Sequence, residues 1–245
     1  MCHPTDSRPP GVANPGEVAE HGLVELTASD GTVFHAYRAL PAEPNGRSVV
    51  IIPDVRGVHP YYQDLAQRFA EAGFAAAAID YYGRTAGLGD RDDDFPWSEH
   101  FPKLDPAEIA LDVKAAADHL AEVAPGPVFS VGFCFGGSQS WRLSAGGLGL
   151  AGAIGFYGAP GLVEDVIDDI SAPLLLLIAG SDVATPQEDF TAFAGKLGDA
   201  GKDFDMKVYE GAPHSFFDRG FAEWKDACAD AWTRIEEFTT RHAAA

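Results

Sequence analysis

The chain has 245 residues, 46% of them hydrophobic and 22% charged, which suffices for one large core in a single α/β domain. Its formal net charge of −20 argues against nucleic acid and anionic membrane surfaces as partners. No apolar stretch approaches the roughly 20 residues that a membrane span needs, and the opening twenty residues lack the apolar region of a signal peptide.

Cysteine usage indicates the compartment. Cys2, Cys134 and Cys228 are too few and too scattered for a disulfide framework. A reducing cytoplasm fits this usage and would keep a functional thiol reduced, so we predict a cytoplasmic protein. No cofactor is predicted. No metal is predicted either, because the acidic run at 90–94 is typical of a solvated loop and shows no EF-hand pattern.

Apolar runs and helical patterns alternate along the chain. Residues 1–20, polar and rich in proline, are predicted to form a flexible arm before one domain over 21–245. Strands are predicted at 22–28 and 32–40 around a hairpin turn, then at 48–53, 74–79, 128–133, 151–157, 173–179 and 204–209. Helices are predicted at 60–72, 106–123, 137–145, 187–200 and 221–241.

This alternation predicts βαβ units, and hence a mostly parallel central sheet with helices on both faces. One long polar segment, 81–105, interrupts the pattern. A segment of this length in a compact domain is either an active-site loop or contains elements that the pattern does not reveal.

Residues 132–136 read Gly-Phe-Cys-Phe-Gly between a predicted strand and a predicted helix. The pattern Gly-x-Cys-x-Gly is typical of a nucleophile elbow, with cysteine in place of the usual serine. Side chains at Gly132 and Gly136 would clash with the sharply turned chain, and a helix N-terminus favours an anionic sulfur. Cysteines are more often small core residues, and Cys228, at helical spacing with aromatic residues, fits that role. The glycines favour a nucleophile at Cys134.

An acid and a histidine follow the elbow in order. Asp182 comes just after the predicted strand 173–179, and His214 follows the last predicted strand. The order nucleophile, acid, histidine is typical of α/β-hydrolases. Histidine would take the thiol proton and aspartate would fix the imidazole tautomer. The alternatives are a turn or capping role for Asp182, and His59, which also follows a strand, as the catalytic histidine.

Other candidates lie in loops at strand ends. Asp54 stands in a loop whose N–H groups could form an oxyanion hole, and the alternative is a solvated turn residue. Arg84 and Arg219 could each bind a substrate carboxylate through two hydrogen bonds, although lone loop arginines are usually surface residues. Trp97 and its aromatic neighbours in 81–105 suggest an aromatic-lined pocket.

From about Val49 to the C-terminus the chain resembles the dienelactone hydrolase family, the carboxymethylenebutenolidase-like α/β-hydrolases. The resemblance is carried by residues 53–58, 80–84, 132–137, 155–158, 180–182 and 211–216. It implies an α/β-hydrolase fold and a triad of Cys134, Asp182 and His214. The thiolate would form an acyl-enzyme with an enol-lactone, and ring opening would release an enolate.

The resemblance also implies auxiliary roles. The backbone N–H groups of Phe135 and Val55 would be the oxyanion donors, and Arg84 would bind the substrate carboxylate. Tyr157, in a matching segment, and Trp97 are further predicted substrate contacts.

Two positions depart from the family pattern. Asp54 stands where the family has a glutamate that helps convert the thiol to a thiolate. Asp218 stands at the place of the family's second arginine, and Arg219 is one residue further on.

The sequence therefore predicts a cysteine-dependent hydrolase that opens a lactone or cleaves a small ester through an acyl-enzyme. Its partner would be that small molecule, and the sequence indicates no oligomeric state. One alternative is a carboxylesterase or thioesterase for an uncharged substrate. Another is a non-catalytic ligand-binding protein with this fold. A redox-sensing thiol lacks an obvious resolving cysteine.

Overall fold

The computed structural model describes residues 6–243. Contacts divide this part of the chain into one unit over 11–128 and a second that joins 6–10 to 129–243. The division of the chain into an arm and one domain over 21–245 stays a prediction. Two observations do not fit a flexible arm over 1–20. The first strand already begins at Val18, and Ser7 is buried. Residues 1–5, with Cys2, lie outside the described residues.

The unit over 11–128 begins with an antiparallel hairpin. Its strand order is β1-β2-β4-β3, with β2 antiparallel to β4 and β3 parallel to β4. The strands are β1 (Val18–Thr27), β2 (Val33–Pro41), β3 (Ser48–Ile52) and β4 (Ala75–Ile79). The helices are α1 (Pro60–Glu71), α2 (Gly83–Ala86), α3 (Trp97–His100) and α4 (Pro106–Val123), with a 3-10 turn at Phe101–Lys103.

The second unit is built on a parallel ladder in the order β5-β6-β7-β8. Its strands are β5 (Val128–Phe133), β6 (Gly152–Phe156), β7 (Leu174–Ala179) and β8 (Phe204–Tyr209). Its helices are α5 (Phe135–Leu143), α6 (Gln187–Asp199) and α7 (Lys225–His242), with 3-10 turns at Pro160–Leu162, Glu164–Asp169 and Ala222–Trp224. Every residue of β5, β6 and β7 is buried, as expected for parallel strands covered on both sides.

Proline and aspartate explain where the best-predicted helix begins. Asp105 accepts a hydrogen bond from the backbone N–H of Ala107, at 2.8 Å, and Pro106 supplies the first helical residue of α4. All the predicted strands and long helices are present in the described chain, and the mostly parallel pairing is confirmed.

The segment 81–105 is not an uninterrupted loop, because α2, α3 and a 3-10 turn lie within it. No helix of residues 6–243 is long and apolar enough to cross a membrane.

Candidate active site

Cys134 occupies the turn between β5 and α5. Its backbone has φ 55° and ψ −119°, and residues other than glycine rarely adopt a positive φ of this kind. A Cβ atom at Gly132 would lie 1.8 Å from the carbonyl oxygen of Gly136, so the turn closes only around glycine. The N–H of Cys134 donates to the carbonyl of Phe156, at 3.0 Å, which fixes the turn to β6. The predicted elbow conformation is confirmed.

Asp182 and His214 form a hydrogen-bonded pair. Nδ1 of His214 lies 2.6 Å from Oδ2 of Asp182, whose side chain is fully buried, and the imidazole is 15% exposed. The other carboxylate oxygen accepts the backbone N–H of Ala184, at 2.8 Å. A carboxylate at Nδ1 selects the tautomer with hydrogen on Nδ1, so Nε2 is the nitrogen that can accept a proton.

Backbone bonds hold the two loops of this pair together. The N–H of Gly180 donates to the carbonyl of Tyr209, and the N–H of Ser181 donates to the carbonyl of Ala212, both at 2.9 Å. The loop after β7 and the loop after β8 are therefore joined by two backbone bonds just before Asp182 and His214 in the chain.

The three predicted triad residues follow the carboxyl ends of strands in one parallel ladder. Cys134 follows β5, Asp182 follows β7 and His214 follows β8. The carboxyl ends of parallel strands share one edge of the sheet, which is where sites in such folds form. On the intervening strand, Tyr157 follows β6, and its ring packs on the imidazole of His214 with 4.8 Å between centroids. The described contacts thus connect the elbow to the Asp–His pair.

Cys228 has the opposite environment from Cys134. It is 2% exposed and contacts the carbonyl of Phe216 through its sulfur, at 3.5 Å. Burial raises the pKa of the Cys228 thiol to about 12. Cys134 is half-buried at a helix N-terminus. The predicted core role of Cys228 is confirmed.

Asp54 is buried in the other unit and is held by an arginine two residues away. Arg56 donates from Nε and Nη2 to both carboxylate oxygens, at 3.0–3.2 Å, and its backbone N–H donates to Oδ1 at 2.9 Å. The hydroxyl of Tyr82 donates to the carbonyl of Val55, at 2.6 Å, and anchors the same turn. Val55 and Phe135 belong to different units, and their pairing as oxyanion donors stays a prediction.

Arg84 is engaged by carboxylates of its own unit. Its Nε and Nη2 atoms donate to the two oxygens of Asp112 on α4, each at 2.9 Å, and Nη1 donates to Asp30 in the hairpin turn, at 2.6 Å. Its side chain is 5% exposed, and that of Asp112 is fully buried. The substrate-clamp role of Arg84 stays a prediction, and in this conformation both edges of the guanidinium face protein carboxylates.

Arg219 and Trp97, two further predicted substrate contacts, differ in exposure. Arg219 is exposed, and its backbone N–H donates to the carbonyl of Arg8 at 3.0 Å. The neighbouring Asp218 is buried, and its carboxylate accepts the N–H of Gly220 at 2.8 Å. Trp97 is half-buried in α3. Their roles toward substrate stay predictions.

His59, the rival histidine, caps a helix. Its Nδ1 accepts the N–H of Tyr61 at the start of α1, at 3.3 Å, and Nε2 lies 2.9 Å from a carboxylate oxygen of Asp93. Burial lowers the pKa of His59, which keeps the ring in the neutral form that this capping requires.

Besides the Arg84–Asp112 pair, two further buried arginine–carboxylate pairs escaped the sequence analysis. Arg91 lies within the acidic run but is buried, with Nη2 at 2.8 Å from Oδ2 of Asp80 and its guanidinium 4.6 Å from the ring centroid of Phe95. Arg56 holds Asp54. The spacing Asp54-x-Arg56 was a usable signal for the second pair. No local signal marks the first, because Asp80 and Arg91 are eleven residues apart.

A parallel ladder with a nucleophile elbow on one strand and an Asp–His pair on later strands defines the α/β-hydrolase fold. Residues 34–243 match the dienelactone hydrolase family. The chain belongs to this family and is a hydrolase that acts on ester bonds.

Relatives agree with this assignment. A provisionally named carboxymethylenebutenolidase of Escherichia coli strain K12 is 29% identical over 249 residues, which cover 93% of this chain and 89% of that protein. A provisionally named carboxymethylenebutenolidase of Methylorubrum extorquens is 27% identical over 239 residues, which cover 91% of this chain and 82% of that protein.

Solved structures share the architecture. The crystal structure of a provisionally named dienelactone hydrolase from Klebsiella pneumoniae has a TM-score of 0.71 and 27% identity, covering 89% of this chain and 99% of its own. A dienelactone hydrolase-like promiscuous phosphotriesterase from metagenomic libraries has a TM-score of 0.71 at 24% identity, covering 90% and 98%. At that identity the likeness shows the fold alone.

Proposed function

We propose that this protein hydrolyses a lactone or small ester through an acyl-enzyme on Cys134. In this proposal His214 is the general base and acid, and Asp182 holds the imidazole in its working tautomer. The N–H of Phe135, the first residue of α5, is one oxyanion donor, because the first N–H groups of a helix point out of its end.

Each step balances its protons. Nε2 of His214 takes the thiol proton, and the thiolate attacks the carbonyl carbon to give a tetrahedral oxyanion. The carbon–oxygen bond to the leaving group breaks, the imidazolium returns its proton to that oxygen, and a thioester remains on Cys134. Water then attacks the thioester with His214 as base, and collapse releases the carboxylic acid and the thiol. In a lactone the leaving oxygen stays tethered, so one ring-opened product forms.

The 2.6 Å contact between Nδ1 of His214 and the buried carboxylate of Asp182 carries the proposal. A role for Asp182 as a helix or turn cap does not explain its contact with a histidine, and a surface role for His214 does not explain its contact with a buried carboxylate. Cys134 lies in the same unit, on a strained elbow at the start of a helix, where negative charge on sulfur is favoured. Strain of this kind persists where function requires it.

Two matched cysteine variants test the nucleophile. We expect Cys134→Ala to abolish hydrolysis of an aryl ester while the unfolding temperature stays near that of the wild type. Cys228→Ala, which removes a buried sulfur, should lower the unfolding temperature and leave kcat close to the wild-type value. Rapid acid quench followed by intact-mass measurement should detect the added acyl group on the wild type and on Cys228→Ala.

An active Cys134→Ala together with an inactive Cys228→Ala would refute the assignment of Cys134 as the nucleophile. Full turnover by Cys134→Ala would exclude the thiol as nucleophile. A protein that binds lactones but never releases acid would support the ligand-binding alternative.

A second candidate, hydrolysis of an uncharged ester or thioester, is favoured by one observation. The guanidinium of Arg84, the predicted partner for a substrate carboxylate, faces Asp112 and Asp30. Comparing kcat/KM for a carboxylated lactone and its neutral methyl ester separates the candidates. A strong preference for the charged lactone that disappears in Arg84→Ala would favour the first candidate, and equal turnover would favour the second.

A further inference from the structure

Tyr157 has an unusual backbone for a large aromatic residue. Its φ is 38°, in the left-handed region, where bulky side chains are genuine outliers. It is 1% exposed and follows the last residue of β6 directly. A conformation of this cost persists only where the surrounding structure holds it, and such residues concentrate at functional sites.

Backbone contacts tie this residue to two neighbouring strands. The N–H of Tyr157 donates to the carbonyl of Leu177 on β7, at 2.9 Å, and the carbonyl of the preceding Phe156 accepts the N–H of Cys134, at 3.0 Å. A Cβ atom at Gly158, the next residue, would lie 2.6 Å from the backbone nitrogen of Ser138 on α5. The chain here therefore has little freedom to move away from the elbow.

The side chain packs on the predicted catalytic base. The ring centroids of Tyr157 and His214 are 4.8 Å apart, with planes inclined at 54°. Phe216, two residues after His214, meets the same tyrosine ring edge-on, at 5.9 Å and 71°. The tyrosine ring thus contacts both the imidazole and the loop that carries it.

We propose that Tyr157 is a positioning residue that holds the imidazole of His214 in the orientation set by Asp182. The inference rests on the proposed function, because it assumes that His214 is the base. The carboxylate fixes Nδ1, and the tyrosine ring limits rotation of the imidazole about its Cβ–Cγ bond. The aromatic face also favours the imidazolium that forms during the reaction, because its centroid lies within the range of cation–π contact.

Three variants separate positioning from general packing. Tyr157→Leu removes the aromatic face, Tyr157→Phe keeps it, and Phe193→Leu is the matched control. Phe193 is also fully buried, but it packs on Trp141, at 6.0 Å between centroids. We expect Tyr157→Leu to lower kcat about 10–100-fold, as a base displaced by a fraction of an ångström would, with KM little changed. Tyr157→Phe should retain most of the wild-type kcat, and Phe193→Leu should lower the stability and leave kcat unchanged.

Proton NMR supplies a readout that does not need turnover. The Nδ1 proton shared by His214 and Asp182 should give a low-field resonance in the Cys134→Ala background. Tyr157→Leu should broaden or remove that resonance, and Tyr157→Phe should retain it. If Tyr157→Leu does not fold, Tyr157→Met fills a similar volume without an aromatic face and makes the same test.

Failure of this inference is distinguishable from failure of the proposed function. A Tyr157→Leu enzyme with wild-type kcat and an intact low-field resonance would overturn the inference, while an inactive Cys134→Ala would still support the nucleophile. Equal losses of kcat in Tyr157→Leu and Phe193→Leu would also overturn it. Turnover by Cys134→Ala would refute the proposed function, and the resonance would still report whether the tyrosine holds the imidazole.

Discussion

Replacing Arg84 by alanine distinguishes a structural role from a substrate-binding one. The guanidinium joins three elements of its unit, because it pairs with Asp112 on α4 and with Asp30 in the β1–β2 turn and itself lies in α2. The substitution leaves the fully buried carboxylate of Asp112 without its bidentate partner. The substrate carboxylate predicted from the family would have to compete with that internal partner.

The expected loss of stability follows from burial. Removing one member of a buried ion pair costs about 3–5 kcal/mol, because the remaining carboxyl is left buried either as an unpaired charge or at the cost of taking up a proton. In a chain of this size each kcal/mol lowers the unfolding temperature by about 2–4 °C, so Arg84→Ala should unfold about 6–20 °C below the wild type. Arg142→Ala, which removes a mostly exposed pair with Asp165, is the matched control and should change it little.

The loss should depend on pH in a definite direction. Burial raises the pKa of Asp112 to about 7, against the opposing effect of Arg84. Without the guanidinium that pKa rises further, so the folded variant holds a proton that the unfolded chain releases above pH of about 4. Stability of Arg84→Ala therefore falls as pH rises through this window, and its deficit should be smaller at pH 5 than at pH 8.

Thermal unfolding at the two pH values, with kcat/KM for charged and neutral substrates, completes the experiment. An Arg84→Ala protein as stable as Arg142→Ala, yet selectively defective toward the carboxylated substrate, would refute the structural interpretation.

Three further predictions concern the site. Asp182→Asn should lower kcat by up to about 10⁴-fold in steady-state assays, because the amide no longer selects the Nδ1–H tautomer; a loss under tenfold would contradict this. At pH 8 only about 10⁻⁴ of Cys228 is thiolate, given a pKa of about 12, so peptide mapping after iodoacetamide should find Cys134 labelled and Cys228 spared. Ser215 has φ 65°, so Ser215→Gly should raise the free energy of unfolding, measured in urea, by about 1 kcal/mol, and Ser215→Ala should raise it less. Equal increases in the two variants would exclude backbone strain as the cause.

Regular periodicity made most of the fold predictable. The apolar run of β7, the alternation of apolar and charged residues in β8 and the capped start of α4 gave bounds that agree with the structure to within one residue. The four-residue helices α2 and α3 were missed, because an element of one turn has no apolar period to recognise. The same segment contains the buried pair of Arg91 with Asp80 and the local packing of Trp97 on Phe101.

Chain order made the Asp–His pair predictable. In a parallel sheet the loops after β7 and β8 meet at one edge, so Asp182 and His214 were expected to meet, and they do. The partners of Arg84 were not predictable in the same way. Asp112 and Asp30 lie 28 and 54 residues away along the chain, and no periodic signal relates an arginine in a loop to a carboxylate on a distant helix.

The same difficulty applies to the whole unit over 11–128. Arg56, Arg84 and Arg91 each pair with a buried carboxylate through Nε and Nη2 of the guanidinium, although the sequence shows only three arginines in segments that follow strands. Buried carboxylates select arginine because its planar fork matches two oxygens at once, so an arginine at a strand end serves internal charge balance as readily as substrate binding. In this chain the position of Arg84 alone therefore does not distinguish the two roles, because the buried carboxylate of Asp112 lies within its reach, and the charged-substrate assay decides between them.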